Sequence, residues 1–197
     1  MQKAQRHLLG LINDVLNYAK LEAGRVEFDV REVAVADVVR DVVPLVEPQL
    51  TAKELALTVM LPSAVGERSK PVRVWADREK LGQALLNLLS NAIKFTPPTQ
   101  ATGEPGRVTI ELAGRAERPD VAYLRVSDTG IGIARERQDA IFDPFVQVRS
   151  GLTREHEGAG LGLAISRDLV RGMGGELRAR SEEGRGSTFT VALREAV

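Results

Sequence analysis

DREKLGQALLNLLSNAIKFTP, residues 77–97, is the stretch on which the reading of the whole chain turns. It predicts one helix. Asp77 can cap its N-terminus, and Pro97 stops it. Leu81, Leu85, Leu88, Leu89 and Ala92 share a face at helical spacing. The opposite face carries Gln83, Asn87, Ser90, Asn91 and Lys94, with no apolar residue among them. Asn and Ser are mediocre helix formers because their side chains compete for the backbone. A row of neutral polar groups ending in one cation suits a bound polar ligand. A plain solvated face is the competing reading.

Composition narrows the field. The chain has 197 residues, room for one domain with an appendage and a sizeable core. Lys+Arg and Asp+Glu both number 27, so the balance points away from nucleic acid or an acidic membrane as partner. With no cysteine, disulfides, thiolate metal sites and cysteine nucleophiles are excluded. Two histidines cannot build a three-histidine zinc site. No apolar run is long enough to span a bilayer, and the N-terminus is amphipathic rather than a signal peptide.

Outward from the central helix, the rest of the chain supplies a sheet and three more helices. Residues 2–23 read as a helix with Leu8, Leu11, Ile12, Val15 and Ala19 in a stripe that needs a partner, ended by Gly24. Residues 26–33 alternate and predict a short strand. Residues 35–53 predict a second helix with Val38, Val39, Val42, Leu45 and Val46 inward, bent or broken by Pro44 and Pro48. Strands are expected at 55–60 and 72–75, with a loop over 62–71, and a turn-rich loop at 98–106. Four further strands alternate apolar with polar: Val108, Ile110 and Leu112; Ala122, Leu124 and Val126; Leu177 and Ala179; Phe189, Val191 and Leu193. Such strands imply a sheet wet on one side and covered by helices on the other, a two-layer sandwich.

Two stretches carry chemistry. Asp128 follows Val126 in phase with the apolar face of its strand, and Gly130 and Gly132 come next. A carboxylate at that place needs a hydrogen-bonding partner. It could accept from the exocyclic amine of adenine, or simply cap a strand-to-helix turn. Residues 143–160 form a long loop, of the length usual for lids. It ends in GAGLGL (158–163), which opens a helix running to about Met173. The free N–H groups of such a helix start favour phosphate. The run is neither a Walker A loop nor a dinucleotide fingerprint.

Taken together these motifs resemble the nucleotide-binding boxes of sensor histidine kinases. NLLSNAIKFTP (87–97) is similar to the asparagine box and DTGIGI (128–133) to the first glycine box. IFDPFVQ (141–147) resembles the phenylalanine box, GAGLGLAI (158–165) the second glycine box, and GSTF (186–189) the terminal glycine motif. LLGLINDVLNYAKLEAG (8–24) looks like the second helix of the family's dimerisation hairpin. The resemblance implies the Bergerat ATP-binding fold: an α+β two-layer sandwich, helices on one face of a mixed sheet, preceded by one long N-terminal helix. It implies ATP and Mg²⁺ as cofactors and a division into residues 1–32, partial hairpin and first strand, and 33–197, the catalytic domain.

It also implies roles. Asn91 would bind Mg²⁺ through its amide oxygen. Asn87 and Lys94 would face the phosphates and act as the catalytic pair. Asp128 would read adenine beside Gly130, Gly132 and Ile133. Gly158, Gly160, Leu161 and Gly162 would wrap the phosphates, with Phe142 and Phe145 at the base of the lid and Thr188 in the terminal motif. ATP-hydrolysing relatives carry a Glu four residues before the metal Asn; here Asn87 stands there and cannot be a general base. That favours a kinase.

The expected acceptor histidine belongs on a first hairpin helix that is not among these residues, along with the base for its proton. The chain is therefore expected to be a fragment or a module that phosphorylates in trans. His7 is in the wrong helix, and His156 lies in the lid. Expected partners are the acceptor hairpin, a response regulator and a second copy through the N-terminal helix, without nucleic acid. The expected location is the cytoplasm, with membrane attachment of the parent left open. Two rivals stand beside this reading: an ATPase or serine-kinase switch of the same fold, and a non-catalytic nucleotide sensor.

Overall fold

The computed structural model describes residues 2–61, 71–100, 103–113, 120–146 and 159–196; the side chains of 2–9, 11 and 14 lie outside this description. Residues 62–70 of the predicted loop, much of the expected lid, Gly158, Gln147 and His156 also lie outside it, as does the side chain of His7.

The helices are α1 (Gln2–Glu22), α2 (Val35–Ala52), α3 (Arg78–Phe95) and α4 (Gly162–Gly172). The strands are β1 (Arg31–Ala34), β2 (Ala56–Met60), β3 (Arg73–Ala76), β4 (Arg107–Ala113), β5 (Val121–Asp128), β6 (Glu176–Glu182) and β7 (Gly186–Arg194). Five of them form one sheet in the order β2-β4-β5-β7-β6. β2 runs parallel to β4, and the other pairs are antiparallel, so the sheet is mixed. β1 and β3 make a separate antiparallel pair.

Alternation places Val108, Ile110, Leu124, Val126, Phe189 and Val191 on one face, where they are buried. Against them pack Leu81, Leu85, Leu88 and Leu89 of α3 and the valines of α2, in one continuous core. The other face carries Arg125 bonded to Glu111, and Ser127 beside Thr188. Helices therefore cover one side only, as the alternation predicts.

Three details differ from expectation. The first strand begins at Arg31, not Val26. The preceding residues are engaged elsewhere: the backbone N–H of Asp29 donates to Asp77 Oδ2 at 3.0 Å, and the Phe28 ring lies against Gly172 of α4. Pro44 and Pro48 do not break α2. Both are exposed, as is Arg40, so the carbonyls of Arg40 and Pro44 that lose their amide donors lie on the solvent side of the helix. Leu45 is 59% exposed rather than inward. The buried stripe follows Val35, Val38, Val39, Val42, Val46 and Leu50, and Leu45 falls just outside it.

Candidate functional site

α3 is set by its two ends. Asp77 Oδ1 accepts from the N–H groups of Glu79 and Lys80 at 3.0 and 3.1 Å, a full N-cap. At the other end Thr96 Oγ1 donates to the Ala92 carbonyl at 2.6 Å. With the leucines sealed in the core, the predicted polar row is left on the flank, each member partly buried.

Asn87 bridges helices. Its Nδ2 donates to the Gly162 carbonyl and to Ser166 Oγ, both at 3.3 Å, and Ser166 is fully buried. The polar face of α3 thus meets the start of α4, where backbone N–H groups have no helical partner. The Asn91 side chain, one turn on, has no hydrogen-bond partner among the described residues. Its amide oxygen is a hard donor of the kind a magnesium ion takes when phosphates and waters complete the shell. Lys94 Nζ lies 5.1 Å from the centre of the Phe95 ring, and burial lowers its pKa.

Asp128 closes the site from the sheet. The backbone N–H of Gly130 donates to Asp128 Oδ1 at 2.8 Å, and the backbone of Ser187 adds a second bond. Both favour the charged form, yet burial outweighs them and pushes the carboxyl up to about 6. The turn that follows is fixed to α3: the N–H of Ile131 donates to the Phe95 carbonyl at 3.2 Å. A Cβ on Gly130 would sit 2.5 Å from that carbonyl oxygen, so only glycine fits. Gly132 has φ +67°, and its Cβ would lie 2.0 Å from the Glu182 carbonyl. Ile133 N–H donates to Ser181 Oγ at 2.8 Å, and Gln138 Nε2 donates to the carbonyls of Ile133 and Ser181 at 3.0 and 2.8 Å.

The structure brings Asn87 to Gly162 and the Gly130–Ile131 turn beside Asp128 to the C-terminal end of α3, while Gly132 and Ile133 lie against β6. It separates others. Phe142 is buried edge-to-face on Phe189, with centroids 6.4 Å apart. Phe145 is 61% exposed, and its ring meets Tyr18 of α1 at 6.2 Å. Its N–H donates to the Gly160 carbonyl at 3.1 Å. The Leu161 side chain is buried with Ile165 and Leu169 against Tyr18, Leu21 and Phe28, so it anchors the start of α4 rather than lining the polar face. Thr188 turns away: its hydroxyl meets Ser127 Oγ at 2.9 Å on the open face of the sheet. The neighbouring Ser187, buried and paired in register with Asp128, is the hydroxyl on the site's side.

Ser181, Ser187, Gln138 and Ser166 are the residues that sequence reasoning missed. Ser181 and Ser187 fall in phase with the apolar face of their strands, the same signal that singles out Asp128. An open cleft of about 470 Å³ lies beside the turn, lined by Ile133, Arg135, Gln138, Arg180, Ser181 and Glu182 among others. It does not reach α3. Among the described residues no cluster of three histidines or carboxylates could hold a metal.

Residues 76–197 match the family model described as "Histidine kinase-, DNA gyrase B-, and HSP90-like ATPase". The chain belongs to that family. Curated relatives point to one branch of it. The autoinducer 2 sensor kinase/phosphatase LuxQ of Vibrio parahaemolyticus is 33% identical over 98% of this chain and 21% of its own length. The non-motile and phage-resistance protein of Caulobacter vibrioides is 38% identical over 97% of this chain and 22% of its own. The circadian input-output histidine kinase CikA of Synechococcus elongatus is 37% identical over 96% and 23%. The chain thus spans about a fifth of the length of these relatives.

Among solved structures, full-length ShkA in complex with AMPPNP superposes with a TM-score of 0.79 at 32% identity, over 99% of this chain and 37% of that one. The catalytic domain of the histidine kinase ThkA does so with 0.65 at 26% identity, over 86% and 97%. The fold is that of the ATP-binding catalytic domain of sensor histidine kinases, as the motifs imply.

Proposed function

We propose that this chain binds ATP between the polar face of α3 and Asp128 and supplies its γ-phosphoryl group to a histidine on a dimerisation hairpin. The observation that carries the proposal is the shared floor of the site. The partly buried carboxylate and the helix carrying the amide row are tied together through Gly130, Ile131 and the Phe95 carbonyl.

In this reading Asp128 accepts from the adenine amine, with Gly130, Gly132 and Ile133 shaping the base pocket. Asn87 and Lys94 line the phosphate end with the N–H groups at the start of α4 and the glycines 158, 160 and 162. Asn91 would hold Mg²⁺, which when bound neutralises charge on the phosphates. Asn87 cannot take a proton from water, so the chain's own residues favour retention of the phosphoryl group until an acceptor arrives. Leu161 and Phe142 act through packing. Thr188 contacts Ser127 instead of the pocket, and Ser187 takes its place in the assignment.

The flanking parts follow from the same reading. Residues 1–32 are the end of a hairpin helix with its linker and the first strand, and 33–197 the catalytic domain. The exposed Ile12, Val15 and Leu16 of α1 suit a partner helix and a second subunit. The phosphohistidine would pass its group to a response regulator. Among the described residues no helix is long and apolar enough to cross a membrane, which suits a cytoplasmic module.

The test is incubation with MgATP and a separately supplied hairpin bearing the histidine, scored for acid-labile phosphate. Transfer to the hairpin supports the proposal. Rapid ATP turnover without the hairpin would favour an ATPase, and binding without transfer a nucleotide sensor.

A further inference from the structure

The last turn of α3 has an unusual problem. In a helix each carbonyl accepts from the N–H four residues on. For Ile93 and Lys94 those donors would come from Pro97 and Pro98, which have none. The Phe95 carbonyl is given to Ile131. Two partly buried carbonyls would thus be left without partners, at the negative end of the helix dipole.

Lys53, at the C-cap of α2, resolves this. Its Nζ donates to the carbonyls of Ile93 at 2.8 Å, Lys94 at 2.9 Å and Thr96 at 3.2 Å. An ammonium has three N–H groups, and all three are used. Lys53 therefore has no donor left for a phosphate. Its charge is spent on the backbone of the turn that carries Lys94 and the Phe95 carbonyl.

We propose that Lys53 is a positioning residue of the nucleotide site. By gripping the last turn of α3 it sets the Lys94 side chain at the phosphate end. It also sets the Phe95 carbonyl where the Ile131 N–H finds it, so the glycine turn 129–133 stays against Asp128. This rests on the nucleotide reading above and adds to it a residue outside every motif, at the end of a helix that carries none of them.

The test uses the full chain with Lys53→Met, which keeps the stem and removes the donors and the charge. Two quantities are read: affinity for the magnesium complex of a non-hydrolysable ATP analogue, and hydrogen exchange of the Ile131 amide without nucleotide. The expected result is a roughly tenfold loss of affinity together with roughly tenfold faster exchange at Ile131, the scale of one charge-assisted hydrogen bond. Lys53→Arg keeps the charge, but its planar fork cannot direct three N–H groups at three converging carbonyls. It should fall between wild type and Lys53→Met on both readouts.

A folded Lys53→Met that matches wild type on both readouts overturns the proposal. So does weaker binding with Ile131 protection intact, which would mean that Lys53 acts on the ligand directly. If Lys53→Met does not fold, Lys53→Arg decides: wild-type behaviour on both counts reduces Lys53 to a stability residue. If the unaltered chain fails to bind the analogue, the nucleotide reading fails, while the exchange measurement still reports the link from Lys53 to Ile131.

Discussion

The backbone N–H of Ile131 donates to the carbonyl of Phe95 at 3.2 Å, and this bond joins the two halves of the proposed site. Phe95 closes the helix that carries the amide row. Ile131 sits in the turn that begins at Asp128. The bond exists because Phe95 is followed by residues that do not continue the helix, which frees its carbonyl for a distant donor. One strand end and one helix end thereby hold a fixed spacing, which a ligand contacting both requires.

Gly130→Ala tests how tight that junction is. The added Cβ would lie 2.5 Å from the Phe95 oxygen and 2.7 Å from Asp128 Oδ1. Neither atom belongs to a flexible side-chain end that can swing clear without breaking a bond. Overpacking of this kind costs about 1–3 kcal/mol. We expect lower thermal stability and a loss of analogue affinity of at least about tenfold by calorimetry. Wild-type affinity in this variant would show that the turn and α3 need not stay in register.

Asp128 predicts a pH profile with a definite sign. Its folded-state pKa is raised from 3.8 to about 6, chiefly by burial. The folded chain therefore binds more protons than the unfolded chain between those values. Stability is greatest below about 4 as far as this group is concerned, and falls as pH rises to about 6. At pH 7 the partly buried charge costs on the order of a few kcal/mol. In the proposed pose adenine needs the carboxylate as acceptor, so affinity should move the opposite way, rising through pH 6. Asp128→Asn should flatten the stability profile between pH 4 and 6 and remove binding. Melting temperatures across pH, with and without nucleotide, check both limbs.

Much of this arrangement was legible in the residues. The α3 face could be read because Leu81, Leu85, Leu88 and Leu89 repeat at helical spacing. Asp128 could be read because it keeps step with Val126. The same phase rule finds Ser181 and Ser187, but a serine at an apolar position gives a weaker signal than a carboxylate, since it costs less to bury. Thr188 was misplaced because a motif names residues without saying which face of the strand each takes. Lys53 had no local signal at all. Its partners lie some forty residues away, and only the pair Pro97–Pro98, which strips two carbonyls of donors, hints that a cation must come from elsewhere. The strand expected from Val26 failed because Phe28 and Asp29 have tertiary partners that outcompete a ladder.

Asn87 and Asn91 should behave differently when truncated. Asn87 donates twice to α4, so Asn87→Ala removes two hydrogen bonds and leaves the buried Ser166 hydroxyl without one partner. A stability loss of about 1–2 kcal/mol follows. Asn91 has no such partner among the described residues, so Asn91→Ala should leave stability within about 0.5 kcal/mol. Its effect should appear only as lost magnesium dependence of analogue binding. If Asn91→Ala binds the magnesium complex as tightly as the unaltered chain, the metal assignment is wrong, whatever becomes of the fold.

α1 is held by a different kind of contact, and its disruption separates packing from polarity. The Tyr18 ring lies edge-on to Phe145, with centroids 6.2 Å apart and planes at 73°. It also packs with Leu21 and Phe28 against Leu161, Ile165 and Leu169, along one face of α4. Among the described residues the Tyr18 hydroxyl donates to Glu22 of its own helix, in an exposed bond. The ring, then, should matter and the hydroxyl should not. Tyr18→Ala should lower the melting temperature by a few degrees and speed proteolysis over residues 22–30, because α1 loses its seat on α4. Tyr18→Phe should match wild type on both measures. Equal damage from the two variants would mean that the hydroxyl, through its bond to Glu22 within α1, matters as much as the ring, and the aromatic seat on α4 would lose its physical basis.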